Sequence, residues 1–110
     1  MRAAAPRRGE LWWWESEHVG ARPAVVLSRD AALERLETAI VAPCTTTIRG
    51  IPSEVLLDPE QDPVPAVSAV NLDALDNTPI ALLVERLGHL SDERMQQICT
   101  ALGVAVACDA

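Results

Sequence analysis

Apolar and polar positions recur with a period near two through most of the chain, and only the last quarter turns to a helical period. Gly9–Trp14 (GELWWW) opens on glycine, is rich in aromatics and predicts a first strand. Alternation sends Trp13 to one face of that strand and Trp12 and Trp14 to the other. A polar loop, ESEHVGA, follows. Arg22–Ser28 (RPAVVLS) is then a β-branched run whose proline stands where a strand start tolerates it. Asp30–Glu37 is expected to form a short helix or turn, with Asp30 as its N-cap.

Thr38–Pro43 (TAIVAP) predicts a third strand, Ser53–Leu57 a fourth and Ala66–Leu72 a fifth. The polar TTTIRGI and the proline-rich, acidic DPEQDPVP between them are expected as loops. Asp73–Pro79 reads as a turn and Ile80–Leu87 as a sixth strand. Ser91 is placed as an N-cap with Asp92 and Glu93 behind it, at the positive end of a helix dipole. Met95, Ile98, Cys99 and Leu102 then share one helical face, and Gly103 is the expected stop. These short strands and one terminal amphipathic helix imply an all-β fold with helical additions: a small, strongly curved barrel with a helix packed on it. Residues 1–8 are small, basic and proline-containing and are expected as a flexible tail, leaving 9–110 as a single domain.

Composition narrows the class. Apolar residues make up 49% of the 110 and charged residues 23%, which excludes a disordered chain. No apolar run is long enough to span a membrane, and MRAAAPRRGE has no apolar segment behind its arginines, so no secretory signal is expected. Cys44, Cys99 and Cys108 are odd in number and lack C-x-x-C spacing. That disfavours a disulfide framework and a zinc ribbon and fits a reducing cytoplasm.

The net charge is −7 and the isoelectric point about 4.6, unlike a nonspecific nucleic-acid binder. The charge is uneven, however. Residues 1–50 hold seven arginines against six acids, and residues 51–110 hold two against ten. An anion-binding site therefore belongs in the first half.

Three segments carry the candidate chemistry: SEHVGARPAVVLS at 16–28, VAPCTT at 41–46 followed by IRGIPSEVLL, and RLGHLSDERM at 86–95. In this order and spacing, from residue 9 to about 104, the chain resembles the MazF/PemK family, the toxins of toxin–antitoxin pairs. The resemblance implies a CcdB/PemK-like, SH3-like barrel. It also implies a metal-independent, sequence-selective endoribonuclease without cofactor, cutting single-stranded RNA as a homodimer and neutralised by a cognate antitoxin. It assigns central catalytic roles to Arg22 and Thr45, matches a loop glutamate to Glu17, and matches an aspartate of the fifth-strand region to Asp73. The family often has glutamine after that aspartate, where this chain has Ala74.

The residues themselves agree in part. Arg22 is a cation at a strand entrance, held by the following proline, and arginine suits bidentate phosphate recognition. Cleavage of RNA by its own 2′-OH needs charge stabilisation on a crowded phosphorus, which a guanidinium with a nearby hydroxyl supplies. The plainer reading of Arg22 is a surface pair with Glu17. Thr45 and Thr46 are placed to position the phosphate, or serve only as hydroxyls at a strand end. Arg49 beside Gly50 is placed to hold a flanking phosphate, or is a solvated loop charge. His18 lies beside Glu17, where an imidazole would serve as general base or stay a solvated loop residue. Glu15, Glu17 and His18 share one loop without a fourth ligand, so no metal is expected. Cys44 is read as a small core residue. Two alternatives stand beside the nuclease: a non-enzymatic CcdB-like inhibitor that binds DNA gyrase, and a degenerate relative that only binds its antitoxin.

Overall fold

The computed structural model describes residues 5–108. Among them the chain forms β1 (Glu10–Ser16), β2 (Gly20–Val26), α1 (Asp30–Leu33), β3 (Thr38–Thr45), β4 (Glu54–Leu57), β5 (Ser68–Asn71), β6 (Asp76–Pro79), β7 (Leu83–His89) and α2 (Asp92–Ala105). The strands make one antiparallel, barrel-like sheet in the order β4-β5-β3-β2-β1-β7, with β6 also pairing β3. The expected all-β barrel with a terminal helix is the observed fold. No helix among the described residues is long and apolar enough to cross a membrane.

The central strands are apolar on both faces because both faces are covered. On one, Leu11, Val25, Ala42 and Cys44 pack with Val55, Val70 and Leu72 against Ile98 and Ala101 of α2. On the other, Trp12, Trp14, Ala24, Val26, Ala39 and Val41 enclose a second core with Leu33 and Leu83. The tryptophans divide as alternation dictates: Trp12 and Trp14 are buried together and Trp13, on the opposite face, is half-buried. The indole N–H of Trp14 donates to Thr78 Oγ1 at 2.9 Å, satisfying a donor that burial would otherwise strand.

Strand β3 changes partner along one edge. Its first half, Thr38–Val41, pairs with β6, and its end, Cys44–Thr45, pairs with β5. This recruits Asp76–Pro79 into the sheet, a stretch that reads as a turn. Its Asp-Asn-Thr-Pro composition is poor strand material, and the free edge of β3 overrides that propensity. Ile80–Leu82 is a 3-10 turn, and the strand that follows starts only at Leu83. Strand β7 meets β1 with two register shifts. Gly88 lies at one of them, and a Cβ there would sit 2.5 Å from Pro63 Cβ, so no larger residue fits.

Other local expectations are corrected. Residues 5–8 of the expected flexible tail are tethered: Pro6 is buried, and Arg8 donates through its backbone N–H to Asp30 Oδ1 at 2.7 Å and through its guanidinium to the Leu27 carbonyl. Residues 1–4 of that tail lie outside the described residues. Asp30 is thus the first residue of α1 and an anchor for the N-terminal segment, while Arg29 takes the cap position without a side-chain bond. Ser91 caps α2 as expected, its Oγ accepting from Arg94 N. The helix runs through Gly103 to Ala105. It closes by bonds from Ala107 N to Val104 O and Cys108 N to Gly103 O, with Ala107 at φ 59°. Its buried face is Ile98 and Ala101, flanked by Met95, Leu102 and Ala105, whereas Cys99 points outward beside Arg8.

Candidate functional site

The β1–β2 hairpin and the end of β3 bring the main candidates onto one face. Arg22 pairs with Trp14, and directly opposed residues of antiparallel strands share a face. The β2–β3 ladder ends at Ala24 opposite Pro43, which has no N–H to continue it. Arg22 on β2 and Thr45 on β3 each lie two residues past that last pair, so alternation puts both on the face of Ala24 and Pro43. A row of Trp14, Arg22 and Thr45 therefore crosses three strands: the first is buried, and the other two are half-buried.

The Arg22 guanidinium is oriented by its own hairpin. Its Nη2 donates to the Val19 carbonyl at 2.6 Å, whereas its Nε–H is buried and has no partner. A buried unpaired donor costs free energy in the empty protein, and an acceptor arriving there recovers it. Thr45 Oγ1 accepts from Thr47 N at 3.0 Å, so this bond occupies a lone pair and leaves the hydroxyl hydrogen to donate. Behind the row, burial pushes the Cys44 thiol up to about 12, against a downward pull from Arg22. The thiol stays protonated and is a packing residue, not a nucleophile.

Glu17 and His18 are exposed in the turn between β1 and β2. Ser16 Oγ shapes that turn by accepting from His18 N and Val19 N, both at 3.1 Å. Because Val19 in the same turn receives Arg22, the turn and the guanidinium are one mechanical unit. Thr46 is exposed one residue past Thr45. Arg49 lies in the following loop, which Glu54 Oε1 clamps through Arg49 N and Gly50 N at 3.0 Å each, and its guanidinium has no bonded partner among the described residues. Asp73 sits elsewhere, in a 3-10 turn after β5, where its Oδ2 accepts from Ser53 Oγ at 2.5 Å. That bond holds Asp73 in its turn on the β4–β5 flank.

Sequence reasoning missed Asp76. It opens β6 opposite Val41, on the face that Val41 shares with Val26, Ala24 and Arg22. A small hollow of about 150 Å³ separates β6 from the β1–β2 turn, bounded by Trp14, Glu17, His18, Asp76, Asn77 and Thr78. The signal that would have found it is the pairing of β6 with β3, which nothing in residues 73–79 announces. Among the described residues no three His, Cys, Asp or Glu side chains gather as metal ligands do.

The sequence profile of the PemK-like, MazF-like toxins of type II toxin–antitoxin systems matches residues 7–106. The chain is 62% identical over 105 residues to a protein of Mycobacterium tuberculosis named "Probable endoribonuclease MazF5", covering 96% of each. It is 34% identical over 102 residues to "Probable endoribonuclease MazF2" of the same species, covering 93% of this chain and 99% of that one. A solved endoribonuclease from a mycobacterial species, in complex with its cognate antitoxin, is similar at a TM-score of 0.85 and 30% identity. That match covers 94% of this chain and 96% of the other.

Proposed function

This chain belongs to the PemK-like, MazF-like toxins of type II toxin–antitoxin systems, and we propose that it inhibits growth by cutting single-stranded RNA at the Trp14–Arg22–Thr45 row. The observation that carries the site is the Arg22 guanidinium: braced on Val19, on the same sheet face as Thr45, and holding a buried Nε–H without a partner. A phosphodiester oxygen is the acceptor that this donor lacks, and arginine is the side chain suited to such an oxygen.

In the reaction the 2′-oxygen attacks the adjacent phosphorus. The new O2′–P bond forms as the P–O5′ bond breaks, giving a 2′,3′-cyclic phosphate and a 5′-hydroxyl. Negative charge builds on the non-bridging oxygens, and Arg22 stabilises it while the Thr45 hydroxyl holds the phosphate in place. The proton leaving the 2′-hydroxyl goes to Glu17 or His18, which stand in the turn that Arg22 grips, and a proton is returned to the 5′-oxygen. Thr46 and Arg49 lie beyond Thr45 along the path of a strand and serve flanking phosphates. Asp73, engaged by Ser53, keeps its turn in shape.

No metal or cofactor enters this scheme. The protein acts as a homodimer, is silenced by a cognate antitoxin and works in the cytoplasm as one toxin domain. The endoribonuclease names of the relatives support this reading over a gyrase inhibitor or a catalytically dead binder. The antitoxin complex of the solved relative supports the partner, and three free cysteines accord with a reducing compartment. A cleavable RNA and its copy with a single 2′-deoxy residue 5′ to the scissile bond test the chemistry. Cleavage of the RNA in EDTA and none of the deoxy copy is expected. EDTA-sensitive cutting, or cutting at the deoxy position, overturns it.

A further inference from the structure

We propose that the hollow between the β1–β2 turn and β6 is a base-reading subsite that takes a nucleobase with an amine on its Watson–Crick edge, guanine foremost, with Asp76 as the reading residue. This rests on the reading that the chain binds single-stranded RNA. Three observations converge on it. The hollow is a formed concavity of about 150 Å³, suited to one planar ring system and not to a folded partner. Its floor is already satisfied: the buried Trp14 indole spends its N–H on Thr78 Oγ1, so specificity falls to the walls. The walls carry two carboxylates, Glu17 and the half-buried Asp76, and neither is engaged by an arginine or any other side-chain or backbone donor among the described residues.

The position fits a base next to the reacting phosphate. Trp14 is the cross-strand neighbour of Arg22, and Val19 adjoins His18 in the turn that forms one wall. Asp76 lies opposite Val41, four residues along β3 from Thr45 and on the same face, roughly 13 Å along the strand. A strand of RNA gripped at Arg22 therefore presents a neighbouring base to the hollow.

The chemistry of the wall selects the base. An ionised carboxylate only accepts hydrogen bonds. Guanine presents two adjacent donors, N1–H and the N2 amine, which a carboxylate receives together. Adenine and cytosine each present one amine beside a ring acceptor. Uracil presents N3–H between two carbonyl oxygens, which face the carboxylate with like charge. Guanine is preferred, adenine and cytosine follow, and uracil is excluded.

The test is binding selection from a randomised pool of short, fully 2′-deoxy single strands containing deoxyuridine, so that cleavage cannot intervene. Protein-bound strands are sequenced for wild type, Asp76→Asn and Arg22→Ala. Wild type is expected to enrich guanine over uracil about tenfold at one position, the scale of one bidentate base contact. In Asp76→Asn that preference should fall to within about twofold, because an amide donates as well as accepts, while total binding persists. Arg22→Ala should weaken binding of all sequences and leave the ranking intact. A wild-type pool without guanine enrichment, or an Asp76→Asn variant with the wild-type ranking, overturns the subsite while the RNA reading stands. A wild-type protein that retains no strand at all overturns both.

Discussion

Truncating Arg22 to alanine is expected to separate catalysis from stability. In the free protein the guanidinium makes one bond, from the solvent-facing Nη2 to the Val19 carbonyl at 2.6 Å. Losing such a bond costs about 0.5–1.5 kcal/mol. The same side chain buries an unpaired Nε–H, and removing an orphaned buried donor returns about 1–3 kcal/mol. The two nearly cancel, so the melting temperature of Arg22→Ala should stay within a few degrees of wild type and should fall on the higher side. Catalysis has no such compensation. If the guanidinium supplies a preorganised donor to the transition-state oxygens, its loss costs roughly 10²–10³ in rate, or about 2.7–4 kcal/mol. Arg22→Lys keeps the charge but not the fork and should recover only about tenfold of that loss. Single-turnover cleavage of a fluorophore-quencher RNA, run beside thermal melts of the same preparations, reads both quantities. An alanine variant that cuts within about threefold of wild type refutes the catalytic role. A lysine variant equal to wild type reduces Arg22 to a point charge, and a collapse of the melting temperature makes it a structural strut.

Three further outcomes follow from individual contacts. Thr78→Val should strand the Trp14 indole N–H and cost about 1–3 kcal/mol, a melting decrease of roughly 5–15 °C, whereas Thr78→Ser should recover most of it. A disulfide-exchange thiol reagent at mildly alkaline pH should modify exposed Cys99 and Cys108 and leave Cys44 untouched until denaturant is added. Early modification of Cys44, located by peptide mass spectrometry, would contradict its burial and raised pKa. Burial pushes the Glu10 carboxyl up, but hydrogen bonds from Arg86, Trp12 and the Arg7 backbone outweigh it and hold the group below its ordinary value of 4.5. Its contribution to stability is therefore complete above that value and is lost as the pH falls through the lowered one. Urea titrations at neutral and acid pH should show Glu10→Gln losing less stability on acidification than wild type, and an equal loss would refute the linkage.

What the sequence disclosed and what it withheld divide along a physical line. Trp12–Trp14, RPAVV and TAIVA are strands whose own composition agrees with their pairing, and the Ser91 cap is a purely local device, so each was legible residue by residue. The third strand was expected to stop at Pro43 with Thr45 in the loop beyond; it runs on to Thr45 because Cys44 and Thr45 find Val70 and Ala69 of β5 to pair with. β6 was hidden because Asp76–Pro79 is strand only by virtue of the edge it meets. Asp76 was hidden with it, since a carboxylate in an apparent turn has no face. Asp30 and Cys99 were misread for a related reason: each satisfies a local rule, cap or helical face, while the N-terminal segment, arriving through Arg7 and Arg8, claims it for a distant contact.

The change of partner along β3 has a consequence for the order in which a newly synthesised chain completes its sheet. Arg22 and Thr45 leave the ribosome early and within one short stretch, yet the edge of β3 that aligns Thr45 stays bare until Ser68–Asn71 has been made. The edge opposite the hollow waits for Asp76–Pro79. A nascent chain halted before Ser68 would carry Arg22 and Thr45 beside an uncovered strand edge and without the helix that seals the core. Such a fragment exposes a bare strand edge and uncovered apolar surface, the features that promote aggregation. The sheet around Arg22 and Thr45 is therefore complete only once the last two-fifths of the polypeptide has been made.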